Sequence, residues 1–485
     1  MKKTALVLAA LMTLGILSGC GTGKISKEGG DVTTLTWYVP GDKQEDIASV
    51  MEAANAIIEP EIGAKLDMQF IDTGSYEEKV QMKMAANEEM DLMFVGYINR
   101  LDKCVSLGGL MEMEELINEN CPELMETVPD YVIESAKVNG KLYAFPNQQI
   151  MAAKSAISVR KDLAEEFGLD CSAVKDVEDL TDFYNWLMEK HPEVYPMRAI
   201  NMASAMPTEY YAIHDNYWIE MEDLLNGDGK IDLVVGAKTD EARQRAEYLW
   251  KWYQNGWIRN DVMVTSTDSA DYSAGKYATF YTGWKPGGEA AVAKATGHEY
   301  ECIIMPKDIL RGDATSAMIG ISRTCKQPEK AVKLINLINT NEELYKIICL
   351  GIEGKHYTVN DEGKAVVIEG SGYNTKNGDW KFGNQFNAPI REGQGDNVWE
   401  ETKKLNDEAI TSPLSGFVFD NTSVAAEVAA VQTVIEQYNV QLYGAQNPAE
   451  YWDEMIKKME NAGVQKICDE MERQMNEFMQ SNNRK

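Results

Sequence analysis

The chain has 485 residues, 44% of them hydrophobic, which is enough for a large core and for two or three lobes. Its 77 acidic residues outnumber the 47 basic ones, and the formal net charge is −30. A surface this acidic repels phosphate backbones and anionic lipid headgroups, so we expect no nucleic-acid partner and no electrostatic binding to a membrane. High net charge also favours a monomer.

The N-terminus predicts a secreted protein with a lipid anchor. Two lysines precede an apolar run of 14 residues at 4–17, which is too short to cross about 30 Å of hydrocarbon. We therefore predict a signal peptide over 1–19. The stretch 17–20, Leu-Ser-Gly-Cys, resembles the bacterial lipoprotein box, which implies lipidation of Cys20, a flexible tether at 20–32 and a place on the extracellular face of the cell membrane. The alternative is an ordinary cleaved signal.

The folded part opens with alternating strands and helices. Asp42 and Glu45 predict a capping box for the first helix, and Gly63 predicts its end. Hydrophobic periodicity predicts strands at 35–39, 65–70 and 91–95 and helices at 47–58 and 76–84. Strand, helix, strand, helix, strand is the pattern of an α/β fold with a mostly parallel sheet.

This order of elements predicts where a ligand binds. In open α/β sheets, ligands lie outside the carboxyl ends of the strands. Gly41 and Asp42 follow the first strand, and Tyr97 follows the third. These three residues are therefore candidate ligand-binding residues. The alternative is that they form the turns that a strand–helix junction needs.

The remainder of the chain continues the mixed pattern. A strand ends at Pro146 and is followed by the amide-rich triplet Asn147, Gln148 and Gln149. Further helices are predicted at 162–167, 179–189, 240–254 and from 328, a strand at 319–323, and amphipathic helices over 423–480. The last region has a stripe of Met455, Met459, Ile467, Met471 and Met475. We assign that stripe to core packing, because flexible methionines fill apolar gaps.

Signals for catalysis or metal binding are weak. The chain has four histidines, none in an HExxH motif, and no GxSxG motif. The segment 226–232 has calcium-loop residues, but its outer ligand positions hold Leu224 and Val235, so a β-hairpin turn fits better. We expect no enzyme activity, no cofactor and no metal. Beyond Cys20, seven cysteines have no zinc-binding spacing and are expected to be mostly buried free thiols.

Several motifs together resemble one family. They are the lipoprotein box, the strand ending Pro-Gly-Asp at 40–42, and the segments 91–96, 139–146 and 274–284. They resemble the family 1 extracellular solute-binding proteins, the maltose-binding-like cluster that serves ABC importers. The segments 351–357 and 382–386 resemble a Gram-positive lipoprotein subgroup with an additional, mostly helical C-terminal module.

The resemblance implies a two-lobed, type II periplasmic-binding-protein-like fold. The N-terminal lobe would comprise 33–147 and 307–345, and the C-terminal lobe 148–306. Residues 346–485 would form a module that braces both lobes. The lobes would close over a ligand about hinges near 147–158 and 300–307, and the loaded protein would deliver that ligand to ABC permease subunits.

The resemblance also names binding residues. Trp284 matches a position where relatives place an aromatic ring against a sugar, and the amides of 147–149 can read sugar hydroxyls. The alternative role of Trp284 is that of a buried loop anchor. Val95 stands where maltose binders have a tryptophan, which leaves the sugar open. For an oligopeptide ligand, the segment 351–357 would line a longer cleft. That segment adds the candidates Glu353, His356 and Tyr357. A secreted glycoside hydrolase is the rival from another class.

Overall fold

The computed structural model describes residues 32–206, 210–212, 218–221, 230–306, 310–311, 314–376, 378–414, 417 and 419–481. The predicted signal peptide, Cys20 and the tether up to residue 31 therefore lie outside the described residues, as does most of the predicted turn at 226–232. Among the described residues, no helix is both long and apolar enough to cross a membrane.

Sixteen strands are present in the described part of the chain. They are β1 Thr33–Pro40, β2 Ala64–Ile71, β3 Leu92–Gly96, β4 Ala144–Pro146, β5 Lys154–Arg160, β6 Tyr195–Met197, β7 Tyr211–Ala212, β8 Ile219–Met221, β9 Leu233–Val235, β10 Tyr277–Trp284, β11 Tyr300–Ile304, β12 Leu310–Arg311, β13 Ala317–Ile321, β14 Tyr357–Val359, β15 Ala365–Val367 and β16 Ile410–Thr411.

Seventeen α-helices accompany them in the same described ranges. They are α1 Ile47–Ile62, α2 Tyr76–Ala85, α3 Leu101–Ser106, α4 Glu114–Asn120, α5 Glu123–Glu126, α6 Asp130–Ser135, α7 Lys161–Phe167, α8 Thr181–Lys190, α9 Asp240–Gln254, α10 Asp268–Ser273, α11 Gly288–Thr296, α12 Pro328–Thr340, α13 Glu342–Leu350, α14 Val398–Glu408, α15 Ala425–Gln437, α16 Trp452–Ala462 and α17 Val464–Ser481.

The first lobe is built on a five-stranded sheet in the order β2-β1-β3-β13-β4. β1 runs parallel to both β2 and β3, as the strand–helix alternation predicts, whereas β13 is antiparallel to β3 and β4. β3 is buried along its whole length, because the central strand of a sheet covered on both faces contacts no water. α1 packs its apolar face on this lobe and ends at Gly63, whose positive φ of 64° fits glycine.

The second lobe is built on a four-stranded sheet in the order β11-β5-β10-β6. β5 is antiparallel to both β10 and β11. α8 and α9 contribute buried residues to a core that is separate from that of the first lobe. The mixed α/β architecture confirms the predicted fold class.

The C-terminal region contacts both lobes in succession. Tyr357, Tyr373 and Phe382 are buried in the core of the first lobe. α15, α16 and α17 instead form a third core together with β8 and β9 of the second lobe. The predicted helical C-terminal region is thus present. Its methionine stripe is buried, which confirms the packing role.

The predicted capping box at the start of α1 is wrong. The helix begins at Ile47, and its N-cap position is Asp46, which makes no side-chain capping bond. Asp42 is instead paired with Lys376, which is distant in sequence. A long-range ion pair thus replaces the local hydrogen bond, which the short-range motif could not anticipate.

Candidate functional site

A cavity of about 880 Å³ lies between the second lobe and the C-terminal segment that packs on the first lobe. We call it the interlobe cavity. On one side it is lined by α11 and the loop before it, and on the other by residues of 365–399. Gln149 and Ile150, between β4 and β5, lie at its margin. Its chemically informative side chains are Gln149, Glu289, Asp379, Trp380, Gln385, Arg391 and Trp399.

Trp380 lines the cavity with an indole ring that two other aromatic rings support. Its ring contacts Phe94 at a centroid distance of 5.8 Å and Tyr97 at 5.5 Å. Its backbone carbonyl accepts a hydrogen bond of 2.9 Å from Asn147 Nδ2. Trp380 is half-buried, so part of the ring remains available to a ligand. An indole held in this way presents a flat apolar surface with little freedom to lose on binding.

A buried ion pair lies beside this tryptophan. Arg391 Nη2 donates to both carboxylate oxygens of Asp379, at 2.7 and 2.8 Å. The Asp379 side chain is only 4% exposed. Burial lowers the pKa of Arg391, but the Asp379 carboxylate more than offsets this effect, so the pKa lies above its ordinary value. The guanidinium therefore stays charged and offers fixed donors to the cavity.

The amide triplet after β4 mainly supports the cavity wall. Asn147 is fully buried and holds Trp380, as described above. The carbonyl of Gln148 accepts a hydrogen bond of 2.8 Å from the backbone N–H of Gln385. Gln149 lines the cavity and donates through Nε2 to Ser316 Oγ at 2.9 Å. The Oε1 atom of Gln385 is buried and lacks a hydrogen-bond partner in the described structure.

A smaller cavity of about 210 Å³ lies at the carboxyl edge of the first sheet. We call it the edge cavity. Gly41, Asp42 and Tyr97 line it, so the structure brings together the three residues selected by the strand-end rule. Trp380 lines both cavities. Burial lowers the pKa of Lys381, whose Nζ donates to the Pro40 carbonyl at 2.8 Å.

Trp284 lies at the end of β10, next to the interlobe cavity but not among its lining residues. Its Nε1 donates to Glu289, which does line the cavity. Its half-buried ring packs against Ala152, Leu405 and Ala409. Trp284 thus lies beside the cavity and contacts one of its lining residues, Glu289, without lining the cavity itself.

Glu353, His356 and Tyr357 occupy a different place. None of them lines the interlobe or the edge cavity. His356 is fully buried, with Nε2 3.2 Å from Asp46 Oδ2 and Nδ1 accepting from the Ile352 backbone at 2.9 Å. Tyr357 is also buried and donates to Glu353 at 3.4 Å. The structure thus buries His356 and Tyr357 in the first lobe and leaves Glu353 exposed on its surface, and all three lie away from both cavities.

Sequence reasoning missed the residues at the centre of the interlobe cavity, namely Asp379, Trp380, Gln385, Arg391 and Trp399. All except Trp399 lie in the stretch 368–397, which has no helical or strand periodicity. Long irregular segments inside a compact fold often carry function. Tryptophans in and beside such a segment were the available signal.

Within the residues that the structure describes, three chain segments connect the lobes. The first runs between β4 and β5, the second between β11 and β13, and the third includes α14 and β16. The side chain of Asn406 on α14 bonds the first segment twice, accepting from Met151 N at 2.9 Å and donating to Gln149 O at 2.8 Å. β12 and β16 pair in parallel, which joins the second segment to the third.

Comparison with known proteins assigns the family. A family model described as bacterial extracellular solute-binding protein matches residues 57–349, more than half of the chain. A second model, a domain of unknown function, matches residues 413–480. A carbohydrate ABC transporter substrate-binding protein of Streptococcus pneumoniae serotype 4 is 28% identical over 99% of both chains.

Solved structures agree with this result. The N-glycan transport solute binding protein NgtS of Streptococcus pneumoniae superposes with a TM-score of 0.80 at 25% identity, covering 92% of this chain and 99% of its own. Its complex with Man1GlcNAc gives a TM-score of 0.69 at 25% identity, covering 92% of this chain and 100% of its own. Its complex with Man5GlcNAc gives a TM-score of 0.64 at 26% identity, covering 92% of this chain and 99% of its own. The chain belongs to the family of bacterial extracellular solute-binding proteins.

Proposed function

We propose that the protein is the extracellular substrate-binding component of a carbohydrate ABC importer, and that it captures an oligosaccharide in the interlobe cavity. The observation that carries the proposal is the cavity of about 880 Å³ with two indoles, an Asp379–Arg391 pair and amide groups on its walls. This volume lies within the range of roughly 300–1,000 Å³ that is typical of small-molecule sites.

The lining has the chemistry that a sugar requires. A pyranose ring presents a face of C–H groups, which Trp380 or Trp399 can cover. Its hydroxyls both donate and accept hydrogen bonds, and amide and carboxylate–guanidinium groups complement them. Lys161 pairs with Glu299, and Lys294 pairs with Glu369, so most of the lining charge is already neutralised. This pairing favours a neutral oligosaccharide over a charged ligand.

The edge cavity extends the proposed site. Gly41, Asp42 and Tyr97 line it, and Trp380 is shared with the interlobe cavity. We include Gln149 and these three residues among the proposed ligand-binding residues, with Trp284 supporting the loop beside them. The relatives add the class of ligand: one is a carbohydrate transporter component, and NgtS is bound to Man1GlcNAc and Man5GlcNAc.

We infer that the lobes, divided as the sequence analysis predicts, close over the ligand. The three connecting segments described above support a nearly rigid rotation, because segments bonded to one another bend together. The TM-score is 0.80 against NgtS named without a sugar, and it falls to 0.69 and 0.64 against the two NgtS sugar complexes. This difference is in accord with such a movement. A ligand shifts the lobes only by its greater affinity for the closed form.

The remaining parts of the proposal concern the membrane and the partners. A lipid on Cys20 would hold the monomeric protein on the extracellular face of the membrane, beside the permease subunits that receive its cargo. An acidic surface gives no electrostatic attraction to anionic lipids, so membrane attachment would depend on a covalent anchor of this kind. In this role the protein binds and releases its cargo without changing it chemically.

Titration calorimetry of the purified protein tests the proposal. We expect saturable binding of Man1GlcNAc, Man5GlcNAc or a related neutral oligosaccharide, and no binding of a matched panel of oligopeptides. Each mixture is then analysed for new saccharide products. Binding of peptides but not of glycans would support an oligopeptide-binding protein, and turnover of a glycan would support a hydrolase. Either result would refute the proposal.

A further inference from the structure

A second large cavity, of about 850 Å³, lies between the second lobe and the C-terminal helices. Its walls come from residues 199–204, β8 and α9 of that lobe, and from α15 and Trp452 of the region that matches the domain of unknown function. We call it the module cavity. It shares no lining residue with the interlobe or the edge cavity. A ligand here would therefore occupy a separate site.

The module cavity has a buried carboxylate that is only partly satisfied. Glu220 is 7% exposed, and its Oε1 lies 3.4 Å from Arg245 Nη2. Its Oε2 has no hydrogen-bond partner among the described residues. A buried charged oxygen without a donor costs free energy, and a hydroxyl brought by a ligand would relieve that cost. Both Glu220 and Arg245 line the cavity.

An aromatic wall stands beside this carboxylate. The ring of Trp218 meets that of Trp452 edge to face, with centroids 5.7 Å apart and planes at 86°. Trp218 has a φ of 58°, a conformation that bulky residues rarely adopt. The packing around it requires Gly236, because a Cβ there would lie 2.5 Å from Trp218 Cδ1 and 2.9 Å from Glu220 Cδ. The fold thus holds the indole and the carboxylate together at close quarters.

We propose that the module cavity is a second carbohydrate-binding site, in which Trp218 covers one sugar ring and Glu220 with Arg245 binds its hydroxyls. The class of ligand, a carbohydrate, rests on the proposed function. The location of the site rests on the cavity and on the unpaired Glu220 oxygen. Charge favours a neutral sugar, because Glu220 and Arg245 oppose each other and Glu436 adds one further negative charge to the lining. A carboxylate-bearing ligand would meet net repulsion.

The experiment uses fluorine NMR of the full protein labelled with 5-fluorotryptophan. The chain has ten tryptophans, and Trp218→Phe and Trp380→Phe variants assign the two resonances that matter. Man1GlcNAc and Man5GlcNAc are titrated in turn. We expect both resonances to shift, each with its own saturation curve. Glu220→Gln should weaken the Trp218 response about 10- to 100-fold and leave the Trp380 response unchanged.

A second variant excludes an indirect effect. Leu442 lines the module cavity and is 54% exposed, so Leu442→Arg should fold normally and obstruct the cavity. We expect it to abolish the Trp218 shift only. A Trp218 shift that persists in Leu442→Arg overturns the second site, as does a Trp218 resonance that stays fixed while Trp380 moves. If only Trp218 moves, the interlobe proposal fails and the second site stands. If neither moves, both fail.

Discussion

Replacing Trp380 with alanine removes the exposed part of an indole from the proposed site. A tryptophan buries about 150–250 Å² in a full contact. Trp380 is already half-buried against Phe94 and Tyr97, so we take ~70 Å² as the area that a ligand could still cover. At ~25 cal/mol per Å², this area is worth about 1.7 kcal/mol. We therefore expect Kd to rise about 10- to 20-fold.

The same substitution also costs stability, and the two effects must be separated. Replacing a fully buried tryptophan with alanine lowers the free energy of unfolding by about 3–5 kcal/mol. Trp380 is half-buried, so its replacement should cost about 2 kcal/mol. Trp186 provides the matched control, since it is half-buried and stacked on Phe183 in the second lobe, away from the described cavities. Trp186→Ala should lower the melting temperature similarly without changing affinity.

Calorimetry with the best-bound oligosaccharide and thermal unfolding without ligand give the two quantities for each variant. Trp380→Phe keeps a smaller ring and should have an intermediate affinity. The reasoning is refuted if Trp380→Ala is folded and binds like the unchanged protein, because the ring would then not contact the ligand. It is equally refuted if Trp186→Ala loses affinity to the same degree, since the effect would then follow from stability alone.

Three further predictions concern the buried ion pair of the cavity, the N-terminus and Asp271 of the second lobe. Arg391→Met should destabilise the protein by about 3–5 kcal/mol in urea unfolding, because it strands the buried Asp379 carboxylate, and adding Asp379→Asn should restore most of that loss; equal destabilisation of single and double variants would contradict this. Cys20→Ala should release the protein into the medium or leave it unprocessed, and a variant that stays processed and membrane-bound on fractionation would exclude lipidation at Cys20. Hydrogen bonds from Lys276, Thr267 and Arg259 hold the pKa of Asp271 well below its ordinary value, so Asp271 stabilises the fold above pH about 4 and this contribution is lost as the pH falls through the lowered pKa. Asp271→Asn should be less stable at pH 7 and should lose less stability on acidification, and parallel pH curves for both proteins would count against this.

The sequence predicted those parts of the structure in which local pattern decides the outcome. The alternation that predicts β1, α1 and β2 reflects which faces are buried, so residues near one another in the chain suffice. The strand-end rule selected Gly41 and Tyr97, and both line the edge cavity. They lie near each other because neighbouring parallel strands end at the same edge of the sheet.

The missed parts depend on contacts across long stretches of chain. Trp380 lies at the cavity because Asn147 holds its carbonyl and Phe382 is buried in the first core, and neither contact has a periodic signature. His356 was selected from a short segment, but its partner Asp46 is 310 positions away. Local motifs carry no information on such pairings.

Capture of an oligosaccharide between two closing lobes is tested most directly by small-angle X-ray scattering of the protein with and without saturating ligand. Man5GlcNAc is the first ligand to use, with saturation established by calorimetry, and maltodextrin of similar length is the control for unspecific effects. The proposed mechanism predicts a smaller radius of gyration at saturation, and no change with a sugar that does not bind. A radius of gyration that stays constant while the sugar is demonstrably bound would contradict closure of the lobes over the interlobe cavity.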